Sequence, residues 1–251
     1  DLFQRKEMTK EQWLRQRQVF DRLIYTVRQF RRPIIAAVDG MAYGGGCEIA
    51  ISTDFIIASD DSAFSQPEAI VGLSAGGGAP VFLPRLLPPG KAMQMLMTGE
   101  PLSAKEAYRL GMVNEIHPRS QLMPAVLRIA NTIASNSPTA VQAVKRAVVL
   151  GSGETIEQAS AIMMDQHWRS VVHPDRVEGS RAFHEGREPK FPDPDFFSFP
   201  PSGRLQAPPE LNVRYRGECA AGATGCAWPK SAAADRPLST DAEERNRTHA
   251  R

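Results

Sequence analysis

Ile35-Ala-Ala-Val-Asp-Gly-Met-Ala-Tyr-Gly-Gly-Gly-Cys-Glu-Ile-Ala50 is the stretch on which the fold turns. Its first residues continue Ile34 into a short, uninterrupted apolar run that stops at Asp39-Gly40. Such a run, bounded by Pro33 and by Asp-Gly, predicts a buried strand followed by a turn. From Gly40 the chain predicts a loop that opens into a short helix ending near Ala50. A second strand is expected from Asp54 to Ala58. Strand, Gly-rich turn, helix and strand in succession define an α/β core.

Upstream, Thr9 and Gln12 have capping-box spacing. Trp13, Phe20, Leu23, Ile24 and Val27 then recur at helical intervals, which predicts a helix from about Thr9 to Phe30. Downstream, Ala63 to Glu68 predicts a short extended segment, because Gln66 precedes Pro67. A second Gly-rich turn follows at Gly76-Gly77-Gly78. Ser103 and Glu106 repeat the capping-box spacing, and Gly111 is placed to cap a helix C-terminus. Met112 to Ile116 is a strand candidate. Helices are expected at about 121–135, 139–150, 154–169 and 175–187. Met93, Met95 and Met97 are expected to pack a helix into the core, with an adaptable pocket as the other reading. From Pro189 Pro and Phe cluster, and beyond Pro200 periodicity is lost in an Ala-, Gly-, Pro- and Arg-rich stretch, which predicts disorder.

Composition narrows the function. The 251 residues are 42% hydrophobic and 23% charged, with a formal net charge of +2, so there is no global basic field to hold nucleic acid. The three cysteines, Cys47, Cys219 and Cys226, form no C-x-x-C pair, and the histidines lack metal spacing. Neither a disulfide framework nor a metal site is expected, and Cys47 is read as a small packed residue. No run approaches the ~20 apolar residues of a membrane span.

Chemistry gathers at the two Gly-rich turns. Gly44, Gly45 and Gly46 let a backbone approach a ligand closely, and helix-initial N–H groups point outward toward negative charge. A phosphate loop would end in Gly-Lys-Ser/Thr, whereas this one ends in Gly-Cys-Glu. An oxyanion that develops on a carbonyl oxygen is the better occupant. Glu48 either serves that site or compensates the helix dipole on a surface. Glu68 is either solvated or its partner. The two lie 20 residues apart, from position 48 to position 68, across a strand and two turns. That path can return both acids to one cavity, where paired carboxylates position water and move a proton.

The stretch 35–50 resembles the signature of the crotonase, or enoyl-CoA hydratase/isomerase, superfamily. So do Asp54-Phe-Ile-Ile-Ala58, Ala63-Phe-Ser-Gln-Pro-Glu68 and Gly72-Leu-Ser-Ala-Gly-Gly-Gly78. Leu96 to Ala107, Gly111-Met-Val-Asn114, Ser137-Pro138, and Glu178 to Phe183 with Pro189 and Phe191 continue it. The resemblance spans about residues 1 to 195.

It implies a spiral of β-β-α units over residues 1–130 and a helical oligomerisation region over 131–195, while composition leaves a disordered tail over 196–251. It implies reversible hydration of trans-2-enoyl-CoA, with the thioester enolate held by two backbone N–H groups. Gly45 falls on one donor position. Glu48 and Glu68 fall on the two glutamates of the hydratases, Glu68 delivering a proton to the α-carbon and Glu48 activating water. Gly76 matches a second-turn glycine that lines the site. Phe183 matches an aromatic contact to the CoA adenine, often made across a subunit boundary. The lysine that accompanies it falls on Gly186 here, with Arg187 as its substitute. The implied assembly is a homotrimer or a dimer of trimers. No cofactor is implied beyond the CoA of the substrate, and the implied location is cytoplasmic, or the mitochondrial matrix if a transit peptide precedes.

Two departures qualify the pattern. The chain opens on Asp1-Leu2, matching the last residues of the motif that supplies the other oxyanion donor. The resemblance thus implies an N-terminal truncation and a shortened chain without activity of its own. The second turn reads Ala75-Gly-Gly-Gly-Ala-Pro80 in place of Pro-Gly-Ala-Gly-Gly. Carnitinyl-CoA dehydratase-like or isomerase activity is the nearest rival, and a non-catalytic CoA-binding subunit the rival of another class. A dinucleotide-binding dehydrogenase is disfavoured, since Gly-x-Gly-x-x-Gly and its ribose-binding acid are missing.

Overall fold

The computed structural model describes residues 7–192. By its contacts the chain divides into Asp1–Leu205 and Gln206–Arg251, and all described residues belong to the first unit. The tail expected at 196–251 lies outside the described residues.

The first helix, α1, runs Lys10–Gln29. Thr9 caps it as the spacing predicts: Gln12 N–H donates to Thr9 Oγ1 at 3.2 Å and Thr9 N–H donates to Gln12 Oε1 at 2.9 Å. Pro33 prevents continuation, and the chain enters β1, Ile35–Val38. After Asp39-Gly40 it turns into β2, Met41–Tyr43, and then α2, Gly45–Ser52. The next unit repeats the pattern with β3, Phe55–Ser59, and β4, Ala63–Ser65.

Each strand pair splits between two sheets. β1 and β3 pair in parallel, Ile35 opposite Phe55 and Val38 opposite Ala58. β2 and β4 pair in parallel in the other sheet, Met41 opposite Ala63 and Tyr43 opposite Ser65. The turn at Gly40, with φ of 88°, stacks on the turn of the next unit, whose Ser62 hydroxyl accepts the Gly40 N–H at 3.0 Å and donates to Val38 O at 3.0 Å. One unit laid on the next through two short sheets is the spiral of β-β-α units that the resemblance implies. Among the described residues the sheets close with β5, Leu102–Ser103, antiparallel to β4, and β6, Glu115–His117, parallel to β3.

Between them lie α3 (Ala79–Leu86), α4 (Pro89–Thr98) and α5 (Ala104–Arg109). The core joins Cys47, Ile51, Ile56, Phe64, Leu83, Met95, Met112 and Val113 with a run of buried alanines. Those alanines let helices approach the sheets closely, and wider side chains would overpack. Four long elements complete the described chain. Helix α6 (Arg119–Ser135) packs on β1, β3 and β6; α7 (Pro138–Gly151) pairs with α8 (Ile156–Val171); α9 (Pro174–Glu185) follows.

Several local expectations shift. Glu68 lies on a 3₁₀ turn, Pro67–Val71, because Pro67 at its first position is already preset for helical φ. The strand expected at 112–116 begins only at Glu115. Gly111 has a φ of 88°, Met112 and Val113 turn inward as buried plugs, and Asn114 instead bonds the β3 backbone at Ile56. Of the three methionines only Met95 enters the core, while Met93 and Met97 are exposed. Ser103 caps α5 through Glu106 N–H at 3.3 Å, but the Glu106 carboxylate pairs with Arg109 at 2.7 Å, so the reciprocal half of the box is not made.

Candidate active site

Parallel pairing of β2 with β4 brings the two acids together. Tyr43 lies opposite Ser65, so the strands end side by side. Beyond Tyr43 the chain turns at Gly44, whose N–H donates to Ser65 O at 2.9 Å, and Glu48 follows one helical turn into α2. Beyond Ser65 the 3₁₀ turn carries Glu68 back over the same strand ends. A Cβ on Gly44 would lie 3.0 Å from Glu68 Oε1, and the φ of 51° there also favours glycine.

Glu48 is 2% exposed. Its Oε1 accepts the Ala79 N–H, the first of α3, at 3.4 Å. Burial pushes its carboxyl above the ordinary carboxylate range; the backbone N–H groups of Ala79 and Gly77 oppose that rise, Glu68 adds to it, and Arg17 works against it. A first-turn glutamate that is buried and bonded to another helix's N-terminus is not a surface compensator of its own helix dipole. Glu68 is half-buried and meets Gln66, a fully buried side chain. With its amide nitrogen turned to the carboxylate, Gln66 donates to both Glu68 oxygens, at 3.0 and 3.3 Å. Cys47, between the two turns, has its thiol pushed up to about 12 by burial, so it is packing and not a nucleophile.

The second turn contributes differently from expectation. Gly76 is exposed and faces the Arg17 guanidinium, 2.6 Å from where a Cβ would sit. Gly77 is the buried glycine, and a Cβ there would come closer than 3.0 Å to Glu48 Oε2 and to the Phe20 ring. The same ring lies 3.1 Å from the Cβ position of Gly45. Gly44, Gly45, Gly76, Glu48 and Glu68 are therefore brought together. Gly77, Gln66, Arg17 and Phe20 join them; of these four only Gly77 lies in a glycine run, and nothing in the sequence marks it out from its neighbours or points to the other three as site residues.

Phe183 and Arg187 lie elsewhere, on α9 and just beyond it. Phe183 is 84% exposed. The Arg187 guanidinium holds both Glu178 oxygens, at 2.7 and 3.1 Å, and Glu185 at 2.6 Å. Those bonds pull the Glu178 carboxyl down to about 2. Arg187 thus fastens the turn after α9 in this structure, its donors taken up by Glu178 and Glu185. Among the described residues no three His, Cys, Asp or Glu side chains gather as a metal site, and no helix is long and apolar enough to cross a membrane.

A helix N-terminus flanked by two carboxylates, one buried and raised, the other braced by an amide, suits proton transfer beside a developing oxyanion. The model of the enoyl-CoA hydratase/isomerase family matches residues 1–194, and the chain belongs to that family. A crotonyl-CoA hydratase of Syntrophomonas wolfei is 39% identical over 165 residues, 66% of this chain and 64% of that protein. A carnitinyl-CoA dehydratase of Salmonella paratyphi B is 38% identical over 63% of this chain and 62% of its own. The chain therefore spans a little under two thirds of the length of these relatives. The crystal structure of an enoyl-CoA hydratase from Bacillus anthracis superposes with a TM-score of 0.74 at 32% identity, over 76% of this chain and 74% of that one.

Proposed function

We propose that this protein catalyses the reversible hydration of a trans-2-enoyl-CoA to a 3-hydroxyacyl-CoA. One observation carries the reading: Glu48 and Glu68 meet over the N-terminus of α2, each against a glycine that admits its carboxylate. The likeness to a crotonyl-CoA hydratase supports it.

The bound thioester carbonyl accepts the Gly45 N–H. Glu48 orients a water molecule and takes its proton as the oxygen bonds the β-carbon. Electrons of the C=C bond pass to the thioester oxygen, and the resulting enolate is held by the fixed backbone donor. Glu68 then delivers a proton to the α-carbon and the thioester carbonyl re-forms, so that H and OH have been added across the double bond. A single such donor is worth ~10²–10³ in rate, and each acid–base group roughly 10²–10⁴. Charge is met by backbone and protons by carboxylates, so the reaction calls for no cofactor beyond the substrate's own CoA. Phe183 is the proposed adenine contact, in a trimer or a pair of trimers; Arg187, whose guanidinium is taken up by Glu178 and Glu185, would serve as the accompanying charge contact only by exchanging those bonds.

Dehydration of a carnitinyl-CoA thioester runs the same steps in reverse, and the second relative supports it as the alternative. Isomerisation needs one acid, so two converging acids favour addition or loss of water. The test follows the loss of conjugated-thioester absorbance with crotonyl-CoA, for this chain and for one extended upstream of Asp1. Turnover that falls by about 10² or more in both Glu48→Gln and Glu68→Gln supports the reading. Full activity in both variants, or none in a folded extended protein that binds CoA thioesters, overturns it.

A further inference from the structure

Helix α1 reaches the site through one residue. Phe20 sits half-buried on a helix whose only fully buried side chain is Ile24. Its ring fills the space that side chains at both Gly45 and Gly77 would need, with Cζ 3.1 Å from one Cβ position and Cε1 2.6 Å from the other. These glycines belong to different turns, one carrying the proposed oxyanion donor and the other receiving Glu48 Oε2. Arg17 supports the ring from the next turn of α1, 5.8 Å from its centroid, and is itself held by Asp21 at 2.6 Å.

We propose that Phe20 is a specificity-determining residue, an aromatic wall that closes the acyl end of the cavity and restricts it to short acyl groups. This rests on the acyl-CoA reading above. An aromatic ring wedged between two turns is rigid, and a chain extending past the β-carbon must displace it or stop against it. A smaller residue at position 20 leaves apolar space beside the same polar site. Each methylene admitted there is worth about four-fold in affinity, and two about fifteen-fold.

The experiment titrates the chain with butyryl-CoA and with decanoyl-CoA by calorimetry, in wild type, Phe20→Leu and Phe20→Ala. Val19→Ala, at a residue 69% exposed, controls for weakening of α1. Circular dichroism melts confirm that each variant is folded. The expected result is a decanoyl-to-butyryl affinity ratio that rises by roughly ten-fold or more in Phe20→Ala, rises partway in Phe20→Leu and stays fixed in Val19→Ala. If Phe20 only anchors the helix, both thioesters weaken equally and the ratio does not move, which overturns the proposal. A shifted ratio without any hydration of crotonyl-CoA by the chain extended upstream of Asp1 would sink the hydratase reading and leave Phe20 as the wall of a binding site. Failure of the wild-type chain to bind either thioester overturns the wall and its pocket together.

Discussion

Glu48 shows what the site costs the fold. Its folded pKa lies above the ordinary glutamate value, chiefly through burial. The folded state therefore holds this proton more tightly than the unfolded chain does. That contribution to stability is fully present below the unfolded pKa and is lost as pH rises through the folded value. Glu48→Gln replaces the charge with a neutral amide of nearly the same shape. The variant should melt higher than wild type at pH 8, with the gap shrinking toward pH 5, while hydration falls by two orders of magnitude or more. A melting difference independent of pH, or a less stable variant at pH 8, would refute a desolvated carboxylate. Both acids could be found in the sequence, because a glycine run and a twenty-residue gap mark them. Gly77, Gln66 and Phe20 could not. Phe20 and Gly77 take their roles from contacts across 25 to 57 positions, Phe20 against Gly45 and Gly77 and Gly77 against Glu48, and Gln66 takes its role from the way its buried amide faces Glu68 two positions on; no local pattern encodes any of these.

Elements are held by their ends. Ser137 caps α7 by accepting the Ala140 N–H at 3.1 Å, and donates its hydroxyl to Asp175 Oδ2 at 2.6 Å. Asp175, 4% exposed, lies in the first turn of α9, with His173 Nδ1 3.2 Å from its other oxygen. Thr139 Oγ1 approaches the same imidazole at 3.3 Å. The start of α9 is capped by His173, whose Nδ1 accepts the Asp175 N–H at 3.3 Å, so the carboxylate reaches the start of α7 through Oδ2 alone and its Oδ1 is buried without a hydrogen-bond partner among the described residues. Asp175→Ala is expected to cost about 1–3 kcal/mol, since it leaves the Ser137 hydroxyl without its acceptor in a part-buried site. Ser137→Ala, which leaves the His173 cap of α9 in place, should cost about 1 kcal/mol. Urea denaturation with unchanged slope would measure both, and equal small losses would show the knot to be decorative. Ser137-Pro138 announces a helix start in any reading of the sequence. Its partner does not, because an aspartate in the first turn of a helix looks the same whether water or another helix faces it. The same limit explains α5, where Ser103 and Glu106 have the right spacing but Arg109 takes the carboxylate.

At the scale of the molecule, the spiral was visible through its family pattern and not through periodicity. Strands of two to five residues are too short to show alternation, and buried parallel strands do not alternate. One tie between the helical C-terminal part and that spiral is a polar contact. Lys145 on α7, with 8% of its side chain exposed, donates to Asp54 Oδ2 at 2.8 Å and to Arg32 O at 2.7 Å. Asp54 in turn accepts the Ile34 N–H at 2.7 Å, where the chain enters β1. Removing the ammonium leaves a carboxylate facing apolar α7 with one backbone donor. Full burial would make that loss about 3–5 kcal/mol; the 20% exposure of Asp54 lets water recover part, so Lys145→Met should cost about 1–3 kcal/mol. Asp54→Asn in the same chain should return some of it, giving a coupling of about 0.5–3 kcal/mol in a double-mutant cycle. Salt should change this little, since the pair is shielded from mobile ions. The contact sits at the start of β1, whereas the Gly40 turn leading to the acids lies at its other end. Affinity for butyryl-CoA should therefore hold while stability drops. A cycle with no coupling would mean that α7 is held by apolar packing alone, and a parallel loss of affinity would mean that the helical part helps to shape the acyl site.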